Sequence, residues 1–258
     1  MKKLLAVFCG LLFCGSAFAH DYWLTVDNYF PQPNSEITVT VGYGHHFPTD
    51  GKGSATGIAK MFVMEPDGVV RPITVVGEGE RKTVAPIKVK VTKTGTHYIV
   101  LVKNAGFVTH TTKGYERKPK NEAEGNVLES SWSEGYMIAV VTVGKASGNM
   151  PESLFSNARF RMQPLVDMGN LHTGDTVPVQ LFLDGKPFRS FLYATYDGFT
   201  EEKDTYAYAT RMPSDLTGKV KLIHPGLWIL LAKDDQPYPD TTKADKFSFG
   251  CNITFMVR

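Results

Sequence analysis

Apolar and polar residues alternate with period two along most of this chain. Ile37-Thr38-Val39-Thr40-Val41 is one such run, and Ile87-Lys88-Val89-Lys90-Val91 is a second. A third runs from Val177 to Phe182, with Pro178 breaking its start. Successive side chains of a strand point to opposite faces, so this pattern predicts strands with one face buried. Shorter β-rich stretches recur at residues 58–64, 98–103, 136–143, 191–196, 220–223, 227–232 and 253–257. Turn pairs lie between them: Asp67-Gly68, Thr94-Gly95, Asp184-Gly185, Asp197-Gly198, Thr217-Gly218 and Pro225-Gly226. No stretch carries the periodicity of a long amphipathic helix. The spacing predicts an all-β protein of sandwich architecture.

The first residues break this pattern. Lys2 and Lys3 precede an almost unbroken apolar run from Leu4 to Phe13, and Ala17-Phe18-Ala19 supplies the small-x-small sequence that signal peptidase reads. Residues 1–19 are therefore expected to be a signal peptide cleaved after Ala19. Phe13 stands before Cys14, where a lipoprotein signal needs a small residue, so no lipid anchor is expected. Beyond the signal no apolar run approaches the ~20 residues that span a bilayer as a helix. Cys9 and Cys14 leave with the signal, so Cys251 remains alone and no intrachain disulfide can form. Its alternating context predicts a small buried residue rather than a ligand or nucleophile. Export without disulfides behind a short signal points to the periplasm.

Cleavage leaves 239 of the 258 residues, enough for two small domains. Residues 144–157 are rich in Gly, Ser, Asn and Pro and have little strand pattern. They divide an Ig-like sandwich over residues 20–146 from a transthyretin-like sandwich over residues 155–258. Residues 114–131 are polar and lack alternation, so they are expected to form a long solvated insertion. The formal charge of +2 disappears with Lys2 and Lys3. A near-neutral chain with scattered Lys and Arg argues against nucleic-acid binding.

Cleavage after Ala19 gives His20 a free α-amine beside its imidazole. That amine and Nδ1 can chelate one metal ion together, as no internal histidine can. The α-amine pKa lies near ~8, so a metal displaces its proton easily at neutral pH. His45 and His46 follow a strong strand in Gly42-Tyr43-Gly44-His45-His46-Phe47-Pro48. Neighbours in an extended strand face opposite ways, but a kinked loop can bring either toward His20. Otherwise one imidazole caps a turn and the other is solvated. His224 precedes Pro225-Gly226 and is a candidate ligand across the domain junction. His97 opens a strand and is expected half-exposed. His110 reads as a strand-end residue and His172 as turn chemistry. In Asp21-Tyr22-Trp23-Leu24, alternation lets Tyr22 and Leu24 face the core together, but not Trp23 and Leu24.

No Gly-x-Ser-x-Gly elbow, phosphate-cradling loop, His-Glu-x-x-His or Cys-x-x-Cys is present. The expected protein is therefore not an enzyme. An amine with histidines suits nickel, cobalt or copper.

Several segments together resemble one family: Ala19-His20-Asp21-Tyr22-Trp23-Leu24, Gly44-His45-His46-Phe47-Pro48, and Gly106-Phe107-Val108-Thr109-His110-Thr111-Thr112-Lys113-Gly114-Tyr115. Trp132-Ser133-Glu134-Gly135-Tyr136, Gly185-Lys186-Pro187, Ala194-Thr195-Tyr196-Asp197-Gly198-Phe199 and His224-Pro225-Gly226-Leu227-Trp228 complete the set. The chain resembles an exported bacterial family long described as a nickel/cobalt transport periplasmic component. The resemblance implies two β-sandwiches, a Ni or Co ion as ligand, and a membrane or outer-membrane transporter as partner. In the nickel-linked members a histidine opens the mature chain, and His20 matches it. The leading expectation is a metal-binding delivery protein using His20, His45 or His46, and His224. Two others stay open. One is a non-catalytic scaffold that presents a ligand. The other is a copper protein of the histidine-brace kind, either an oxidative enzyme or a copper handler.

Overall fold

The computed structural model describes residues 20–201 and 205–258. The expected signal peptide, residues 1–19, lies outside the described residues. The first segment holds β1 (Asp21–Val26), β2 (Ser35–Gly44), β3 (Gly51–Lys52), β4 (Ile58–Met64), β5 (Val70–Ile73) and β6 (Gly77–Glu78). It continues with β7 (Thr83–Val84), β8 (Ile87–Val91), β9 (Gly95–Lys103), β10 (Gly106–Thr111), β11 (Gly114–Glu116) and β12 (Val127–Val143). The second holds β13 (Phe160–Pro164), β14 (Thr176–Leu183), β15 (Lys186–Phe188) and β16 (Phe191–Tyr196). It ends with β17 (Tyr208–Arg211), β18 (Gly218–Lys221), β19 (Gly226–Pro237) and β20 (Lys246–Val257). Helical elements among the described residues are short 3₁₀ turns at Ala55–Gly57, Lys120–Glu122 and Glu152–Phe155.

The strands build an all-β sandwich around one large central sheet. Its order is β17-β16-β19-β20-β12-β9-β4-β5, and β10 also pairs with β12. The sheet draws on both segments because β12 and β20 pair in parallel, from Ser131↔Lys246 to Ala139↔Thr254. Alternation gives this sheet two apolar faces. Val100, Ile138, Leu230, Ile253 and Phe255 face a core closed by Val177, Val179, Leu181 and Val220 from the sheet of β13, β14, β15 and β18. Ile99, Leu101, Met137, Ala139 and Val141 face a second core closed by Leu24, Ile37, Val39 and Val89 from the sheet of β1, β2, β3 and β8. The central strands are therefore apolar at consecutive positions, as strands buried on both faces must be. Residues 144–157 carry no strand, yet Met150, Leu154 and Phe155 bury into the core on the β13–β14 side.

Several sequence expectations change here. Residues 114–131 lie largely open to solvent, as expected, but they are not without strand: they contain β11 and the start of β12. Hydrogen bonds replace apolar alternation there. Thr109 Oγ1 meets buried Ser130 Oγ at 2.7 Å, and Asp245 accepts the Ser130 amide at 2.8 Å. Pro178 does not break its strand, because it pairs with Lys219 and its carbonyl accepts the Leu165 amide at 2.9 Å. Asp184-Gly185 turns as expected, both residues at positive φ (50° and 77°), which is the twist a tight hairpin needs. Cys251 is buried, also as expected.

His97 is fully buried rather than half-exposed. It sits on the inner face of β9, opposite Val141 of β12, so the strand start is a central position. Burial pushes its imidazole below the ordinary value of 6.5. The folded protein therefore holds His97 neutral, while the unfolded chain takes up a proton as pH falls through about 6.5. Stability contributed by the neutral ring is present above that pH and is lost below it. Thermal midpoints of the wild type should fall between about pH 7 and pH 5, and His97→Leu should flatten that slope. An unchanged slope in the variant would exclude His97 as its source.

Candidate functional site

Register brings two of the candidate histidines together. Strand β1 pairs antiparallel with β2, from Asp21↔Gly44 to Val26↔Val39. One step beyond Asp21↔Gly44 sets His20 opposite His45. Directly opposed side chains on one face lie about 5 Å apart. The His20 and His45 ring centroids are 4.3 Å apart at an interplanar angle of 36°. Tyr43, two residues earlier on the same face, stacks on His20 at 4.9 Å and 17°. Tyr22 meets Tyr43 edge-on at 4.9 Å and closes the back of the group. Burial raises the Tyr22 and Tyr43 phenols, so both are neutral walls at ordinary pH.

Asp50 shapes the loop that carries His45. Its Oδ2 accepts the backbone N–H of His45 at 2.7 Å and of His46 at 3.2 Å. These bonds hold the Asp50 carboxyl below its usual range. The His46 ring points to the same carboxylate, with Nδ1 at 3.5 Å. Gly44 allows this approach: a Cβ there would stand 2.1 Å from Asp50 Oδ2. No hydrogen bond engages the ring nitrogens of His20 or His45 among the described residues, whereas His46 is turned to Asp50. His45 and His46, with Thr205 and Tyr206, line an open depression of about 360 Å³.

The start of β1 is fixed from its other face. Asp21 Oδ2 accepts a hydrogen bond from Tyr206 Oη at 3.0 Å and pairs with Lys233 Nζ at 2.7 Å. Burial and the Asp21 carboxylate push the Tyr206 phenol well above its ordinary value, so it stays a donor. Tyr22 and Leu24 share one core as alternation requires, and Trp23, on the opposite face, is buried as well. Leu24 enters the core between the sheets, and Trp23 packs on Ile229 and Leu231 with Phe47 against it. The Trp23 indole lies over Gly42 and donates to the Pro48 carbonyl at 3.0 Å. Strand β1 thus has cover on both faces, which a single strand's pattern does not reveal.

His224 is not brought to this group. Its ring stacks on Tyr196 at 4.9 Å and 9°, and its carbonyl accepts the Trp228 indole N–H at 2.8 Å. Lys233 marks the His20 end of β19, while His224 precedes Gly226 at the other end. The intervening seven residues span about 23 Å. His110 stacks on Tyr115 at 4.3 Å. His172 is in a turn with Asp175, which accepts its backbone N–H at 2.8 Å. No group of three or more His, Cys, Asp or Glu side chains is arranged for a metal among the described residues. The nitrogens on offer are two imidazoles, and cleavage after Ala19 adds an amine on His20. Sequence reasoning missed Tyr43, Asp50, Asp21 and Tyr206. The Asp21-Tyr22 and Gly42-Tyr43-Gly44 segments carried a signal for Tyr43 once paired, and the other contacts carried none.

The class defined by fold and site is an all-β sandwich protein with a histidine pair at a strand terminus, His20 exposed and His45 half-exposed. The chain belongs to the family described as a domain of unknown function (DUF4198), whose profile matches residues 17–235. Among solved structures it is similar to a mutant alpha-2-macroglobulin from Salmonella, at 13% identity over 92% of this chain, with a TM-score of 0.28. The chain spans 15% of that macroglobulin. It is also similar to the fibronectin(III)-like modules of Clostridium thermocellum CbhA, at 12% identity over 91% of this chain and 94% of theirs, with a TM-score of 0.21. No curated protein sequence matches the chain.

The close approach at Gly44 is testable. Gly44→Ala should cost about 1–3 kcal/mol in urea unfolding, since the new methyl displaces Asp50 and loosens the His45 loop. Gly106→Ala, with open space around it, should cost less than about 1 kcal/mol. Equal costs would contradict the assigned contact.

Proposed function

We propose that the mature protein is a periplasmic, non-catalytic binder of a divalent transition metal, Ni or Co, that assists its uptake or delivery to a transporter. The observation that supports this most is the 4.3 Å approach of the His20 and His45 rings, both free of hydrogen bonds among the described residues. Cleavage after Ala19 is part of the proposal, because it converts the His20 amide into an amine. The amine and Nδ1 of His20 would then hold the ion with an imidazole nitrogen of His45. Three nitrogen donors suit Ni, Co and also Cu, which binds such sets more strongly still. Tyr43 would orient His20 by stacking, and Asp50 would orient His45 through its backbone. An exposed site with few ligands fits a carrier that releases its cargo. No helix among the described residues is long and apolar enough to cross a membrane, so a transporter would be a separate partner.

The test is calorimetric titration of the processed chain with Ni, Co and Cu, beside a form with one extra residue before His20. The processed form should bind at least about tenfold more tightly, and His45→Ala should lose a similar factor. His224→Ala should bind as the wild type does. Affinity should fall as pH drops from about 8 to about 6, because protons compete with the metal for the α-amine. Equal binding by the processed and extended forms would rule out chelation by the terminus.

A further inference from the structure

The far ends of β10, β12, β20 and β19 run beyond the sheet that covers their inner parts. The uncovered face there is aromatic. Phe107 pairs with Trp132 across β10 and β12, Trp132 with Phe247 across β12 and β20, and Phe247 with Gln236 across β20 and β19. Paired residues share a face, so these side chains form one row about 10 Å wide or more. Tyr238 joins them, nearly parallel to Trp132 (27°, 6.5 Å) and 4.7 Å from the Phe247 ring. Phe107, Trp132, Tyr238 and Phe247 are all half-exposed. Half-exposed aromatics clustered on a face that a neighbouring sheet leaves open are an unusual investment of apolar surface.

The next row inward sets two carboxylates on either side of a buried ring. Glu134 pairs with Phe249, and Phe249 with Asp234. Glu134 Oε1 accepts the Trp132 indole N–H at 3.0 Å and Arg159 Nη1 at 3.3 Å. Glu134 Oε2 takes no hydrogen bond among the described residues. Arg159 lies over the Phe247 and Phe249 rings at 4.7 and 5.0 Å and also pairs with Asp184. Glu134, Arg159 and Phe249 line a cavity of about 100 Å³ at the inner end of the strip. Lys246 and Asp235, each one position along its strand, lie on the opposite face and pair at 2.7 Å.

We propose that this strip is a second binding site, for a neutral saccharide chain, and that it is independent of the metal reading. A pyranose presents a flat C–H face and a rim of hydroxyls that both donate and accept. Flat rings beside mixed donors and acceptors complement both parts. On this face Arg159 is taken up by both Glu134 and Asp184, so no free cation is left for a phosphate, and the carboxylates of Glu134 and Asp234 are acceptors for sugar hydroxyls. A proline-rich peptide needs free donors for its carbonyls. Here the Trp132 N–H is already committed to Glu134, whose free oxygen would repel a carbonyl.

The molecule supplies its own reporter. Trp23 and Trp228 are buried, so Trp132 is the tryptophan whose fluorescence a surface ligand changes. The full mature protein should be titrated with cellohexaose, chitohexaose and maltohexaose. At least one should shift Trp132 emission saturably, with affinity confirmed by calorimetry. Trp132→Ala should weaken that affinity at least about tenfold, while Trp132→Phe, which keeps a ring face, should stay within a few-fold. Phe247→Ala, which keeps the reporter, should also weaken binding. Unchanged thermal midpoints show that each variant folds. The proposal is overturned if no sugar binds at millimolar concentration, if binding survives both alanine variants, or if a proline decamer or a lysine decamer alone gives the Trp132-dependent signal.

Discussion

The pairing of β1 with β2 is the constraint on which the rest of this site depends. Strand β1 is the edge of its sheet, and an unpaired edge is an exposed row of backbone groups. Here the free edge is satisfied by side chains of the central sheet. Asn252 Nδ2 donates to the Tyr22 carbonyl at 2.6 Å, and Thr254 Oγ1 donates to the Leu24 carbonyl at 2.7 Å. Both bonds are buried, where an unmade one is costly. Together with the Asp21–Lys233 pair they fix the height of β1 over β20. A slip of one residue would turn Tyr22 and Leu24 out of the core and part His20 from His45. The histidine pair is thus set by the packing of two sheets rather than by its own loop alone.

Much of the fold was legible in the sequence. Residues 37–41 and 87–91 lie in strands because each has one clear apolar stripe, and residues 58–64 form β4, which feeds apolar side chains to both cores. What the sequence hid has a common cause. Residues 127–135 form half of β12, but Ser130 is buried through hydrogen bonds to Thr109 and Asp245, so no apolar alternation marks it. His97 and Trp23 are buried because a second layer covers the face each points to, and one strand's pattern carries no trace of a neighbouring sheet. The parallel pairing of β12 with β20 joins residues more than a hundred positions apart, and nothing local encodes it.

The candidate site divides in the same way. His20 was legible from a cleavage pattern, and His45 from glycines around a histidine pair. Their proximity needed the β1–β2 register. His224 looked equivalent in sequence, yet it is bound into a stack with Tyr196 at the other end of β19. Asp21 and Asp50 were ordinary carboxylates until the fold gave them partners. The aromatic strip lies on the opposite face of the same sheet from Asp21 and Lys233, so one sheet carries two chemically different surfaces. Phe249, between Glu134 and Asp234, joins that strip to the apolar core.

The central claim is that His20 and His45 take one metal ion between them. X-ray absorption on the processed protein loaded with one equivalent of Ni tests it most directly. The account predicts a nitrogen-rich first shell with outer-shell scattering from two imidazoles, falling to one in His45→Ala. A spectrum with one imidazole or none in the wild type, or one unchanged by His45→Ala, would contradict it.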